Sequence, residues 1–300
     1  MASVKNIGTI TKAMELVAAT KMRRSQELAL NSRPYAYAAL EILGIISDLK
    51  DVPVPEILHE RKVENTAFLI VTSDKGLAGS FNSAVLRKFE NFVKAENINI
   101  HDPKYSFIVI GQKAKSYFER RKMNVIGSFT RVGDFTKMEE VGPIVDFLVS
   151  GYLKQDFDEV MSFSTNFVTA LRQEVFVRQI LPVSFEKIKE SIQLLIPEAG
   201  KYSQYLDSES FSNGKEREYI IEPTPAEVLE KLAPELFKIR VYHAILEANA
   251  SEHSARRVAM KSASDNAREL SEDLNVVYNK SRQAAITNQI IEVTSGAQSL

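Results

Sequence analysis

Residues 235–295 contain neither glycine nor proline, and after Tyr242 the chain's only aromatic residue is Tyr278. At 1.5 Å rise per residue, one helix over that stretch runs roughly 90 Å. A globular helix usually has about 11–12 residues. Isolated helices gain little stability in water and depend on packing one face. The stretch therefore needs a second surface along its length. Part of it carries a stripe at alternating spacings of three and four: Met260, Ala263, Ala267, Leu270, Leu274, Val277, Ser281 and Ala284. That is heptad spacing, and it argues for packing on another helix. The side chains are small, so they allow close approach while burying little area.

The other end of the chain offers the partner. Ile7, Ile10, Met14 and Val17 repeat the spacing, with helix formers around them. Pro34 is expected to interrupt or kink this helix, and the pattern resumes through Leu40, Leu43 and Ile46. The two ends are expected to pair antiparallel, with the middle of the chain inserted between them.

That middle has a different grammar. Apolar runs at 67–71, 105–110 and 124–129 read as strands, and segments near 80–95, 112–122 and 138–153 read as helices. Such alternation favours a parallel sheet covered by helices. Runs at 160–163 and 175–181 add an expected antiparallel pair. The polar stretch 197–218 reads as a loop.

Between the first strand and its helix lies Thr-Ser-Asp-Lys-Gly-Leu-Ala-Gly-Ser-Phe-Asn, residues 72–82. A glycine-bearing turn there is where many α/β proteins hold a phosphate. A P-loop needs Gly-x-x-x-x-Gly-Lys-Ser/Thr, and a dinucleotide fingerprint needs Gly-x-Gly-x-x-Gly. Gly76-Leu77-Ala78-Gly79 satisfies neither and is read as a plain turn, as is Ile110-Gly111-Gln112. The paired acids Glu139-Glu140, Asp156/Asp158 and Asp207/Glu209 fall near turns or on charged faces, where solvated carboxylates are the norm.

Composition excludes other chemistries. The chain has no cysteine, so thiolate ligands, thiol nucleophiles and disulfides are ruled out. Its four histidines lack metal-ligand spacing. A net charge of -1 argues against a chain that wraps nucleic acid. No uncharged apolar run reaches the roughly 18 residues of a membrane span, and the start has no signal-peptide core. The basic cluster Lys21-Met22-Arg23-Arg24 is either a solvated face or a contact for acidic protein surface or phosphate. The last residues carry little charge: the end is either frayed or lodged in a partner's cavity.

Two long segments, residues 10–26 (ITKAMELVAATKMRRSQ) and 254–287 (SARRVAMKSASDNARELSEDLNVVYNKSRQAAIT), resemble the conserved ends of the F-type ATP synthase gamma subunit. Residues 72–82 resemble the loop after the first strand of that family's central domain, and 219–232 its lead into the C-terminal helix. The resemblance implies a long antiparallel coiled coil of N- and C-terminal helices carrying an inserted Rossmann-like α/β domain. The expected divisions are 1–60, 61–222 and 223–300.

It also implies a rotor shaft without catalytic, cofactor or metal residues of its own. The shaft stands in a cylinder of three alpha and three beta subunits, with the epsilon subunit and the membrane c-ring at its foot. Association with the cytoplasmic face of a bacterial membrane would be peripheral, through those partners. The matching positions imply contact with a beta subunit by Lys21, Met22, Arg23, Glu252, Arg256, Arg282, Gln283 and Thr287. Gln289 stands where the family pattern has an acid, which puts an ion pair there in doubt. The cysteine-bearing insert of chloroplast relatives is absent, so thiol control is not expected. Two other classes compete: a nucleotide-dependent enzyme, which requires a ligand at Gly76–Gly79, and a coiled-coil nucleic-acid binder, which would use the basic N-terminal helix.

Overall fold

The computed structural model describes residues 2–47, 52–169, 172–182 and 221–298. The polar stretch 197–218 lies outside them. The chain begins with α1 (Ala2–Ser47), passes a short 3-10 turn (Glu56–Leu58), and enters a five-stranded sheet. The sheet elements are β1 (Thr66–Val71), β2 (Tyr105–Ile110), β3 (Val125–Phe129), β4 (Glu159–Phe167) and β5 (Gln173–Leu181). Between them run α2 (Phe81–Ala95), α3 (Gln112–Arg120) and α4 (Met138–Leu153), and the chain closes with α5 (Pro225–Gln298).

Strand order is β3-β2-β1-β4-β5. The first four strands are parallel, in register Leu69↔Ile108 and Leu69↔Ser162, and β5 lies antiparallel to β4 at Phe163↔Val177. The central strand, Thr-Ala-Phe-Leu-Ile-Val, is buried at every position. A parallel strand covered on both faces must be apolar throughout rather than alternating.

Each face has its own core. On one side Phe68, Phe89, Phe107, Phe118 and Phe163 pack together beneath α2 and α3. Ring centroids lie 5.7 Å apart for Phe68 and Phe107, stacked, and 5.4 Å for Phe89 and Phe163, edge to face, both favoured aromatic geometries. On the other side α4 and the first third of α5 cover Leu69, Val71, Ile108 and Ile110, with Leu229, Leu236, Phe237 and Ile245 contributed by α5.

Thus α5 is two things in succession. Its root is a core helix of the α/β domain. Beyond it, α5 leaves the sheet and packs against α1. From residue 275 to 291 every position is exposed; Gly8 of α1 stands opposite Ala267.

The sequence reading needs three corrections. First, α1 runs unbroken through Pro34; losing one backbone donor costs about 3 kcal/mol, which a helix of 46 residues packed along a neighbour can absorb. Second, α5 continues through Pro234: it starts at Pro225, within the expected 223–300 division and ten residues ahead of the stretch free of glycine and proline. Thr224 Oγ1 accepts from the Glu227 N–H at 3.3 Å, an N-cap contact, and proline suits the first helical position.

Third, the seam on α1 is not the predicted stripe. Ile7, Ile10 and Val17 are 54%, 59% and 55% exposed. The packed face is Val4, Gly8, Thr11, Glu15, Ala18, Met22 and Ser25, the same alternating spacing rotated by one residue. On α5 the partners are Met260, Ala263, Ser264, Ala267 and Leu274, while Leu270, Val277, Ser281 and Ala284 of the predicted stripe are exposed. The helices meet through their smallest side chains. Ser264 Oγ donates to Gly8 O at 3.4 Å, and a Cβ on Gly8 would stand 3.4 Å from that of Ala267.

Candidate functional site

The loop after β1 is tied up inside the chain. Thr72 Oγ1 accepts from the Ala114 N–H at 2.8 Å, Ser73 O from Lys113 at 3.1 Å, and Asp74 Oδ1 from Gln112 at 2.9 Å. These are the first amides of α3, so the donors at the N-terminus of that helix are already taken up by the loop after β1. Asn82 Oδ1 accepts from the Ser73 N–H at 3.0 Å and closes the loop onto α2. Gly111 has φ +91, and a Cβ there would fall 2.2 Å from Thr72 O. The glycine serves close approach of two loops. Among the described residues, no group of three or more carboxylates and histidines gathers as a metal site would.

The polar chemistry concentrates where the shaft meets the α/β domain. The turn between β3 and α4 reaches in between α1 and α5. Lys21 Nζ of α1 stands 2.5 Å from Asp134 Oδ2, and His253 Nε2 of α5 stands 3.2 Å from Asp134 Oδ1. Ser25 Oγ donates to Asp134 O at 3.2 Å, and Asn249 Nδ2 to Gly133 O at 3.1 Å. The guanidinium of Arg24 lies 4.5 Å above the Phe135 ring, a cation–π geometry.

Behind this turn, Arg256 bridges to the other loop. Its guanidinium pairs with Glu252, approaches His253 Nδ1 at 3.1 Å, and donates to Gly76 O at 3.2 Å. A guanidinium only donates, so Nδ1 of His253 accepts and the imidazole N–H faces Asp134. Glu252, His253 and Arg256 are all buried. His253 first, and then Lys21, hold the Asp134 carboxyl far below the usual carboxylate range, against the opposing pull of burial. The arrangement fastens both shaft helices to two loops of the α/β domain. We call it the brace.

The residues singled out in the sequence therefore divide. Lys21, Glu252 and Arg256 come together in the brace. Met22 is half-buried on the α1 seam, and Arg23 points outward, 3.0 Å from Glu27. Arg282, Gln283 and Thr287 stand far from them on the exposed end of α5, where Thr287 Oγ1 donates to Gln283 O at 2.9 Å. The sequence reading missed Asp134 and His253. Neither belongs to a motif; the one available signal was a basic cluster on α1 with more cations than nearby acids, Glu27 taking up only Arg23.

A long two-helix shaft braced onto a five-stranded domain is a distinctive architecture, and comparison with known proteins agrees. A family model described as ATP synthase matches residues 1–300. An ATP synthase gamma chain from Roseiflexus castenholzii is 35% identical over 300 residues, covering 99% of this chain and 95% of that protein. The chain belongs to the ATP synthase gamma-chain family. Another gamma chain, from Stenotrophomonas maltophilia, is 36% identical over 296 residues, covering 98% of this chain and 95% of that one.

The gamma-family fold is also that of solved stalks. A chain of the central stalk and c-ring structure of Tetrahymena thermophila mitochondrial ATP synthase has TM-score 0.56 at 23% identity, over 85% of this chain and 99% of that one. A chain in the F1 and c-ring structure of the Euglena gracilis enzyme has TM-score 0.61 at 16% identity, over 99% and 91%. These two likenesses are likenesses of fold.

Proposed function

We propose that this gamma-family chain is a rotor shaft that carries no catalytic site of its own. It would stand in a cylinder of three alpha and three beta subunits, with an epsilon subunit and a membrane c-ring at its α/β domain. Turning of the ring would drive the shaft, and the shaft would bias each beta subunit in turn. A shaft can shift a partner's state only by contacts that differ between states.

One observation carries the reading. The shaft presents apolar residues that no described residue covers, Ile7, Ile10 and Val17 on α1 and Val276, Val277 and Ile286 on α5, while its inner seam is made largely of small residues. Exposed apolar stripes of this extent mark interaction surfaces. The brace supports the mechanical part, since it joins both helices to the domain that would receive the torque. Arg282, Gln283 and Thr287 would contact a beta subunit from the tip, Arg282 by its planar fork. Arg23, with Met22 beside it, would do so from α1. Lys21, Glu252 and Arg256 would hold that surface in place through the brace and meet the beta subunit only at its edge. Among the described residues no helix is long and apolar enough to cross a membrane; attachment to the cytoplasmic face of a bacterial membrane would be peripheral.

Mixing the chain with alpha and beta subunits tests this. The expected result is a three-alpha, three-beta, one-gamma complex with faster steady-state ATP turnover, weakened by Arg282→Ala combined with Gln283→Ala. A chain that stays apart from the alpha and beta subunits, or binds ATP alone, would sink the proposal.

A further inference from the structure

A second polar site lies inside the α/β domain, away from the shaft and brace. Arg178 of β5 and Arg240 of α5 both turn into a cavity of about 40 Å3 between the sheet and the root of α5. The lining is otherwise mostly apolar, with Ser162, Ser164, His243 and Glu247 as its other polar members. Ser162 Oγ donates to Arg178 O at 3.1 Å, and Arg240 Nη2 donates to Gln179 O at 2.8 Å. Those bonds fix the backbone of β5 and one arm of Arg240. They leave Nη2 of Arg178 and Nη1 of Arg240 sealed from solvent with no acceptor among the described residues.

Arg178 and Arg240 are each partly buried, and the Arg178 guanidinium lies 4.7 Å from the centre of the Phe176 ring, so what is unusual is one sealed, unaccepted nitrogen on each of two neighbouring guanidiniums. A buried donor without an acceptor is costly, and a like charge beside it adds to the cost. Burial pushes Arg240 down to about 10, and Arg178 pushes it the same way, so both stay charged at neutral pH. Among the described residues Glu247 is the one carboxylate lining the cavity, one negative charge against two positive. Buried donors aimed into a space large enough for more than one water-sized group are satisfied by an occupant. A guanidinium fork matches an oxyanion.

We propose that this cavity seats one small inorganic oxyanion, bridging Arg178 of the edge strand and Arg240 of the long helix. The ion would accept the two orphaned N–H groups and cross-link β5 to the root of α5. The inference stands on the cavity alone and does not depend on the rotor reading.

Equilibrium dialysis of the full chain against radiolabelled inorganic phosphate, at constant ionic strength, tests it. The expected result is saturable binding of one ion per chain, displaced by sulfate. Arg240→Lys keeps the charge and loses the fork, and should weaken binding about tenfold or more; Arg178→Lys should do likewise. Arg121→Gln, at an exposed position, serves as the control and should bind as the unaltered chain does. The same phosphate concentration should raise the melting temperature of the unaltered chain and not that of Arg240→Lys, so the outcome does not rest on one variant's folding. Absence of saturable binding, or equal binding by both lysine variants, would overturn the site.

Discussion

The root and the tip of α5 belong to one helix and follow opposite rules. In the root, Leu236, Phe237 and Leu246 have at most 1% of their surface exposed and the helix is fixed by a sheet. At the tip, Val276 and Val277 are 69% and 63% exposed, and no described residue covers them. Sequence hydrophobicity does not separate the two. What separates them is whether the partner surface lies in the same polypeptide. Apolar residues at the root stabilise the fold; on the rotor reading proposed above, those at the tip would contribute once a second protein is present.

Substitutions break or sharpen that contrast. The largest effect belongs to the root: Phe237→Ala should destabilise the isolated chain by about 3–5 kcal/mol in a denaturant titration. A loss under about 1 kcal/mol would mean the root is not core. Next comes the brace, midway between the regions. Asp134→Ala strands Lys21 and removes the partner of His253. Because Asp134 is partly exposed, the expected loss is about 1–2 kcal/mol, read as a lowered melting temperature.

Acid sharpens the same point. The folded carboxyl of Asp134 lies below its unfolded value, so its contribution is complete above the ordinary aspartate pKa of about 4. It falls away as pH drops further toward the folded value. The gap in melting temperature between the unaltered chain and Asp134→Asn should be constant from pH 7 to about 5 and narrow below about 4. A gap that widens in acid would contradict the assignment.

Smaller effects test the seam and the tip. Gly8→Ala places its methyl at ordinary contact distance from Ala267, so helix propensity should prevail and raise stability by about 0.5–1 kcal/mol. A destabilised variant would show a tighter helix contact than the distance implies. Last, Val277→Ala and Arg282→Ala should leave the isolated chain within about 0.5 kcal/mol of its stability. Only in complex with alpha and beta subunits should they reduce turnover.

Much of the fold was legible where one element's sequence determines its own environment. The apolar run at 67–71, bounded by turn residues in an alternating pattern, read as a strand of a covered parallel sheet, and a glycine-free, proline-free stretch ending at 295 read as a long helix. The seam was misread for a physical reason. Hydrophobic periodicity takes the most apolar stripe of α1 for the face that packs, yet Ile7, Ile10 and Val17 of that stripe are exposed among the described residues. Gly8, Thr11 and Ser25 pack because they are small, a property that hydrophobic periodicity does not register. The brace was half legible. Lys21 stood out in a basic cluster and Arg256 through the family resemblance, but Asp134 comes from a turn more than a hundred residues from either, and only the tertiary fold brings it between them.

A helix of 74 residues extends about 110 Å, and sharp bends in helices need a proline, a glycine or an inserted group. From 235 to 295 there is neither proline nor glycine. Twist applied at the foot has no joint at which to dissipate and must be carried as elastic strain along the rod. Torsional stiffness then varies with what accompanies it: greatest where the sheet grips, intermediate alongside α1, least where α5 runs alone. The last stretch is where wind-up would accumulate.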